Sequence, residues 1–377
     1  MMGHLSAGKF IKNNKKQVAV IVVALALSVM GIYLIGSILA STKESFRPVV
    51  VEGSKRQMYL ELSYETLAST NPEDMETIQG MYSVVVEKLE QLPEVKRAFV
   101  SEWTNFSLKA LLGNLGSEMP LLKPEDIPTY LTHMKSKLVD GRLPEQDYEM
   151  VLDSAVMRNQ GYKIGDKLGN NLWTIVGVVE GPYYSCAGTS ARGNNNGYGL
   201  IILNEEGVSG AKELFDKIGV PLSKLDSISS DAQKGSELFQ REVVDEIDGS
   251  LHAIILFSIF LLAVSVTVAY NSYMRNRVNE YCLYASLGYS RLEVYRMILR
   301  EIAILFGAGI LLGFAVAGGM IALIDVLLMH PLGLIPVYID TELICTILAA
   351  MAAVIGILQF PALLSVHRIR TIDTLED

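Results

Sequence analysis

The hydrophobic residues of this chain are concentrated in four long runs, which span residues 18–40, 251–274, 302–329 and 343–364. Each run is long enough to cross a bilayer, whose hydrocarbon core needs about 20 apolar residues of helix. None of the four contains lysine or arginine. The pattern therefore predicts four transmembrane helices, with the first near the start of the chain and the others near its end.

Residues 41–250 follow a different pattern, in which short apolar segments alternate with amphipathic ones. Segments with the composition of strands are 57–64, 94–103, 148–153, 172–181 and 198–206, and segments with helical spacing are 71–92, 211–219 and 231–250. A short helix is predicted after Asp153, and turns are predicted at Asp140–Gly141 and Gly165–Asp166. We therefore expect an α+β domain with non-local strand pairing.

The stretch 181–199 is rich in glycine, asparagine and serine and reads "GPYYSCAGTSARGNNNGYG". This composition is typical of a mobile surface loop, which is our prediction for it. In a second interpretation, Tyr183 and Tyr184 contact a ligand.

Composition and charge fit a membrane protein with an acidic soluble domain. The chain has 377 residues, 50% of them hydrophobic, and a formal net charge of −9. Residues 41–250 contain 32 acidic and 21 basic side chains, so nearly all of the negative charge lies in this segment. Such a surface disfavours nucleic acid and anionic lipid headgroups as its partners. Because Cys186 is its single thiol, the domain must be stabilised by its hydrophobic core.

The basic residues outside this segment predict the orientation. Four lysines precede the first run, five arginines lie between the second and third, and two follow the fourth, whereas the 330–342 connection has none. By the positive-inside rule, both ends and residues 275–301 are cytosolic, and residues 41–250 and 330–342 face outward. A cleaved signal peptide is the alternative for the first run, but a hydrophobic region of that kind is usually only about 7–15 residues long.

The predicted fold class is therefore a membrane protein with four transmembrane α-helices, one plus three, and a large α+β extracytoplasmic domain inserted between the first and second helices. The segments are a cytosolic N-terminus (1–17), transmembrane helix 1 (18–40), the extracytoplasmic core domain (41–250), transmembrane helix 2 (251–274), a cytosolic segment (275–301), transmembrane helix 3 (302–329), an outer loop (330–342), transmembrane helix 4 (343–364) and a cytosolic C-terminus (365–377).

The cytosolic segment has a local pattern of its own. Residues 275–287 are predicted to continue the second transmembrane helix, and Gly288 can adopt the left-handed conformation that ends it. Ser290 and Glu293 have the spacing of a capping box, so a new helix should begin there. Apolar side chains stand among the charged ones at Leu283, Leu287 and Leu292. This surface suits a groove on a cytosolic partner, but a plain interfacial loop whose arginines only set the topology fits the residues equally well.

Segment 276–314, "NRVNEYCLYASLGYSRLEVYRMILREIAILFGAGILLGF", resembles the C-terminal module of the FtsX/MacB-type ABC transporter permeases. Arg277 and Glu280 fit the basic and acidic pair of that family, and Glu301 fits the glutamate that opens the next span. Its "LxAxG" core is matched loosely by Leu283, Ala285 and Gly288. The outer "GRLP", "GD" and "TIVGVV" stretches resemble the periplasmic core domain of the family, and "RIRTIDTLED" resembles its cytosolic ending. Tyr281 and Cys282, where isoleucine or glycine is commoner, and the acidic last residues depart from the pattern.

The resemblance implies that the chain is the non-catalytic permease subunit of a type VII ABC system in a bacterial inner membrane. The partners it implies are two copies of an ABC ATPase subunit, a second permease subunit that is identical or homologous, and membrane lipid. ATP and Mg²⁺ would be bound by the ATPase, since no "GxxxxGK[ST]" motif occurs in this sequence. The implied ATPase-coupling interface consists of Arg277, Glu280, Leu283, Leu287, Gly288, Tyr289, Ser290, Arg291 and Glu293.

In such a system, ATP hydrolysis moves the coupling interface, and the first two spans carry the motion outward, which is mechanotransmission. The leading hypothesis is export or extraction of an amphiphile such as a peptide, antibiotic or lipoprotein. The alternative is an FtsX-like signalling lever that regulates a cell-wall hydrolase or a sensor. The hydrolase, or a membrane-fusion adaptor in the case of export, would then be a further partner. A third hypothesis, a membrane-anchored binding protein without an ATPase, leaves the capped turn unexplained.

Gly309 and Gly313 form a "GxxxG" motif in the third run, which allows close approach of helices either within the subunit or in a dimer. The acidic residues of the outer domain are too scattered to nominate an acid–base pair, and the histidines have no second ligand at metal spacing. We therefore assign no catalytic, cofactor-binding or metal-binding residue to this chain.

Overall fold

The computed structural model describes residues 15–70, 78–111, 113–169, 172–190, 199–229, 231–245, 249, 253–260, 263–264, 267, 280–284 and 286–367. The chain divides into two compact units. The helical unit comprises Met1–Ala40, Asp248–Ile324 and Val337–Asp377, and the sheet unit comprises Ser41–Ile247 and Asp325–Pro336.

The helices are α1 Lys15–Arg47, α2 Tyr64–Ala68, α3 Ile78–Glu90, α4 Ile127–His133, α5 Ser154–Gln160, α6 Ala211–Lys217, α7 Ala232–Leu238, α8 Arg291–Ile324 and α9 Thr341–His367. The strands are β1 Gln57–Glu61, β2 Val95–Lys109, β3 Asn114–Leu121, β4 Lys137–Gly141, β5 Glu149–Asp153, β6 Lys167–Leu168, β7 Trp173–Glu180, β8 Ala187–Gly188, β9 Gly199–Asn204 and β10 Ser227–Ser229. Short π-helical segments occupy Pro48–Gly53, Phe239–Asp245 and Asp325–Met329.

Within the described residues, two helical stretches are long and apolar enough to cross a membrane, namely Val18–Gly53 and Arg291–Met329. A shorter apolar stretch, Thr341–Ile357, lies in α9. These stretches overlap the first, third and fourth predicted runs. Most of the second run lies outside the described residues, and its described positions 253–260, 263–264 and 267 are helical. The count of four spans therefore stays a prediction.

In the helical unit, α1 and α8 approach each other closely. A Cβ atom added at Gly309 would lie 2.6 Å from the Cβ of Leu25, and one at Gly313 would lie 2.7 Å from the Cβ of Val29. Leu25 and Val29 are fully buried in the apolar core that α1 shares with α8 and α9. Both glycines of the "GxxxG" motif thus lie at a helix contact inside the subunit.

The sheet unit contains a ten-stranded mixed sheet in the order β10-β1-β9-β2-β3-β8-β5-β7-β4, with β6 paired to β7. The long strand β2 joins its two halves, because residues Val95–Ser101 pair with β9 and residues Glu102–Lys109 pair with β3. All pairs are antiparallel except β3 with β8 and β5 with β7. The prediction of an α+β arrangement with non-local pairing agrees with this topology.

The apolar strand β9 is buried on both faces, as expected of a continuous hydrophobic run. Leu200 and Ile202 pack into a core that includes α3 and α6, whereas Ile201 and Leu203 pack into a core that includes α4. A third core surrounds β3, β5, β7 and α5 and includes Phe46 near the end of α1. These three cores stabilise the domain with Cys186 present as a free thiol.

Two sequence predictions in this unit are wrong. Asp140 and Gly141 end strand β4 and pair with Val178 and Gly177, so they are not a turn. The stretch 181–199 is not simply a surface loop, because Cys186, Ala187 and Thr189 are almost fully buried and 187–188 form β8. Its residues 191–198 lie outside the described part of the chain.

The segment that follows α8 belongs to the sheet unit. The Asn159 side chain, at the end of α5, accepts a hydrogen bond from the Lys109 amide at 2.7 Å and donates to the Lys109 carbonyl at 2.7 Å. It also donates to the Leu332 carbonyl at 3.0 Å. Asn159 therefore ties the chain beyond α8 to both α5 and β2.

Candidate coupling site

The predicted turn between two helices is present at residues 280–294, and we call this segment the elbow. Residues 280–284 and Ser286 are helical, and Gly288 has φ +90°, a conformation that L side chains rarely adopt. The Leu287 amide donates to the Leu283 carbonyl at 3.0 Å, and the Tyr289 amide donates to the Tyr284 carbonyl at 3.2 Å. This pattern is a glycine-terminated helix end, in which the freed carbonyls are satisfied locally.

Ser290 and Glu293 form the predicted capping box. The Ser290 hydroxyl oxygen accepts a hydrogen bond from the Glu293 amide at 3.3 Å, and the Glu293 carboxylate accepts from the Ser290 amide at 2.8 Å. The Ser290 hydroxyl also donates to that carboxylate at 2.8 Å. Chiefly because of the Ser290 amide, and also because of its hydroxyl, the pKa of Glu293 is lowered from its ordinary value. The start of α8 is thus fixed by reciprocal bonds.

The inner side of the elbow is aromatic. Tyr281 is almost fully buried in the core of the helical unit, and Tyr284 and Tyr289 pack against that core. The rings of Tyr284 and Tyr289 meet edge to face with centroids 6.2 Å apart, so they link the residues on either side of Gly288. The sequence interpretation did not predict that these three tyrosines pack together. Their signal was the placement of Tyr281 and Tyr284 three residues apart, on one helix face.

The outer side of the elbow presents leucines to solvent. Leu283, Leu287 and Leu292 are 53%, 67% and 55% exposed. Arg291 and Glu293 beside them are also exposed. A rigid turn that exposes apolar side chains within a charged rim has the chemistry of a docking surface.

Of the predicted interface residues, Glu280, Leu283, Leu287, Gly288, Tyr289, Ser290, Arg291 and Glu293 lie on this elbow. Arg277 lies outside the described residues. No cluster of three or more histidine, cysteine, aspartate or glutamate side chains suited to a metal ion occurs in the described part of the chain.

Comparison with known proteins places the elbow in a recognised domain. Residues 253–374 match the family model described as FtsX-like permease C-terminal. The chain from residue 253 to residue 374 is thus similar to an FtsX-like permease domain. The match agrees with the resemblance noted from the sequence for residues 276–314. No curated protein gives a significant match to the chain.

Solved structures give distant similarities. The periplasmic region of MacB from Actinobacillus actinomycetemcomitans is 11% identical, and the alignment covers 52% of this chain and 97% of that one with a TM-score of 0.27. The extracellular domain of the noncanonic ABC-type transporter YknZ from Gram-positive bacteria is 14% identical over 46% of this chain and 98% of that one, with a TM-score of 0.26. A domain of a putative permease protein from Porphyromonas gingivalis is 13% identical over 46% and 88%, with a TM-score of 0.22.

Proposed function

We propose that the chain is the membrane subunit of a type VII ABC system and that its FtsX-like elbow receives the movement of a separate ATPase. The observation that carries this proposal is the exposure of Leu283, Leu287 and Leu292 on a turn held by Gly288 and by the Ser290–Glu293 capping box. A docking surface transmits movement only if it is stiff. Hydrogen bonds hold this turn on both sides of Gly288.

The proposed topology has four spans, one plus three, with both termini in the cytosol and the sheet unit outside. The two long apolar helices and the shorter one support it. Two ATPase copies and a second permease copy or homologue complete the proposed assembly. ATP and Mg²⁺ are bound by the ATPase.

The proposed work is mechanotransmission to the outer domain for export or extraction of an amphiphile such as a peptide, antibiotic or lipoprotein. Two continuous chain segments support a mechanical route. Helix α1 runs without a break from the helical unit into the sheet unit, and the continuation of α8 is bonded to Asn159 of the sheet unit.

The test replaces one exposed leucine by aspartate. We expect Leu287→Asp to reduce copurification of the ATPase, and its stimulated hydrolysis, by about tenfold or more, because a charge would replace an apolar anchor. The matched control is Leu225→Asp, at a leucine of the sheet unit that is 76% exposed. Equal ATPase recovery in the two variants would refute the elbow as the docking surface.

A further inference from the structure

The third core of the sheet unit contains a cavity of about 170 Å³. It lies where the sheet divides, because β8 is only two residues long and joins β3 to β5 through a few pairs. Beyond these pairs, β2 and β3 form one wall, and β5, β6, β7 and α5 form the other.

The walls of the cavity are apolar and mostly buried. They include Met119, Met150, Leu152, Val156, Leu168 and Trp173. The first four of these side chains are at most 2% exposed and belong to the third core, so the inner wall of the cavity is part of that core.

The Trp173 ring is a preformed wall. Its indole nitrogen donates to the Thr189 carbonyl at 3.0 Å, and Tyr148 meets the ring edge to face with centroids 5.8 Å apart. Gly169 has no side chain and so makes room for the ring, since a Cβ atom there would lie 2.7 Å from it. A fixed aromatic wall lowers the ordering cost of binding a ligand.

The mouth of the cavity is polar. Asn105 and Ser107 line it and are exposed, so the cavity opens to solvent at these residues. Tyr162, which is partly exposed, contributes a phenol group to the lining. The site therefore combines an apolar floor with hydrogen-bonding groups at its opening, as small-molecule sites do.

A single aromatic ring fits these features. An apolar cavity of about 150 Å³ can hold benzene, so a cavity of about 170 Å³ has room for one ring. Methionine sulfur and aromatic edges make favourable contacts with a ring. We propose that the cavity is a binding site for one aromatic ring that carries a hydrogen-bonding substituent such as a hydroxyl group.

This inference goes beyond the proposed function, because the site lies entirely within the sheet unit and its test needs no ATPase. A variant that loses ATPase coupling should still bind the aromatic ligand. Failure of the cavity to bind a ligand would leave the proposed docking of the ATPase at the elbow unaffected.

Trp173 provides the signal for the test. The chain has two tryptophans, and the other, Trp103, packs on Tyr59 in a different core. The full chain with Trp103→Phe is placed in lipid nanodiscs and titrated with 4-bromobenzyl alcohol, whose bromine quenches indole emission on contact. We expect saturable quenching with a midpoint on the order of 0.1–1 mM free probe, as suits a ligand of about nine non-hydrogen atoms. Empty nanodiscs correct for probe dissolved in lipid.

Variants that fill the cavity locate the binding. In the same background, Val156→Phe and Leu168→Phe should each raise the midpoint at least about tenfold, because the new ring occupies the site. Val85→Ile, in the core beside α3, is the control and should leave the midpoint unchanged. Quenching that rises linearly with free probe in the Trp103→Phe chain would overturn the proposal. Saturable quenching that persists in both filled variants would also overturn it. If Val156→Phe fails to fold, the result with Leu168→Phe decides.

A competition experiment tests the preference for an aromatic ring. Benzyl alcohol should displace the bromo probe at a concentration about threefold lower than cyclohexylmethanol, because only the aromatic ring makes the sulfur and edge contacts. Equal potency of the two alcohols would contradict the aromatic assignment.

Discussion

At the scale of single residues, the elbow depends on one backbone conformation and one pair of reciprocal bonds. Gly288 has φ +90°, and a Cβ added to it would meet no atom within 4 Å. The cost of a side chain at this position is therefore a backbone cost, of about 1–2 kcal/mol. Ser290 and Glu293 supply the start of the next helix, where loss of a cap costs about 1 kcal/mol.

Gly288→Ala should therefore weaken ATPase stimulation and lower the thermal stability of the helical unit, and Gly288→Asn should do so less, since asparagine tolerates positive φ better. The measurement is stimulated ATP hydrolysis together with the unfolding midpoint in nanodiscs. Gly307→Ala is the matched control, because Gly307 also has open space around it but lies within α8. It should be neutral or slightly stabilising. Similar losses in the Gly288 and Gly307 alanine variants would contradict the role of positive φ.

The Arg142–Glu149 ion pair makes the stability of the sheet unit sensitive to acid. Glu149 accepts bidentate hydrogen bonds from Arg142 and further bonds from the amides of Glu145 and Gln146 at 2.9 and 3.1 Å. Chiefly because of Arg142, the pKa of Glu149 is lowered from 4.5 to about 2. Arg142, which directly follows β4, thus joins the end of that strand to the start of β5.

Since the folded-state pKa is lowered, the stabilisation is present above the unfolded pKa and is lost as the pH falls from 4.5 towards 2. Arg142 is partly exposed, so we expect a loss of only about 1–2 kcal/mol. Glu149→Gln should remove most of this pH dependence and destabilise the unit at pH 7. The unfolding midpoint of the full chain, followed by tryptophan emission from pH 7 to pH 3, checks this. An unchanged acid dependence in Glu149→Gln would show that other groups cause it.

At the scale of elements, the contact between α1 and α8 depends on Gly309 and Gly313. Because added Cβ atoms would lie 2.6–2.7 Å from those of Leu25 and Val29, a larger side chain must push the helices apart. Gly313→Val should lower the stability of the chain by about 1–3 kcal/mol, as overpacking does. Gly318→Val is the control, since a Cβ at Gly318 meets no atom within 4 Å.

The thermal midpoint of each variant in detergent is the measurement for this contact. A loss confined to Gly313→Val supports packing within the subunit. A stable but monomeric Gly313→Val chain would support the dimer interpretation instead.

The elements that the sequence predicted are those with a clear pattern among neighbouring residues, such as the apolar strands β1, β5, β7 and β9 and the capped start of α8. The capping box of Ser290 and Glu293 and the strand at Glu149–Asp153 follow from neighbouring residues. Strands β3, β4, β6, β8 and β10 were not predicted. The pairing partners of β8 and β10 are distant in sequence, whereas β3 forms a hairpin with β2 that the sequence interpretation missed. The burial of Thr189 also has a distant cause, since its partners are Gln146, Glu149 and Trp173. The cavity beside Trp173 depends on this non-local assembly and left no sequence signal.

At the scale of the whole molecule, the elbow lies at the start of α8, and the chain beyond α8 is bonded to the sheet unit through Asn159. The sequence interpretation assigned the outward motion to the first two spans. The hydrogen bond from Asn159 to the Leu332 carbonyl joins the segment after α8 to the sheet. We therefore propose that α8 and this segment are a second path for movement from the elbow, beside the first two spans.

Hydrogen exchange of the sheet unit, measured with and without a trapped ATPase, tests whether the elbow transmits movement to that unit. The full chain, purified with its ATPase in nanodiscs, is compared in the ATP-free state and after trapping with ATP, Mg²⁺ and vanadate. We predict that trapping changes the protection of peptides within Ser41–Ile247 and that Gly288→Pro abolishes this change, because proline cannot adopt positive φ. Unchanged protection in the unmodified chain on trapping, or a change that survives Gly288→Pro, would contradict the account.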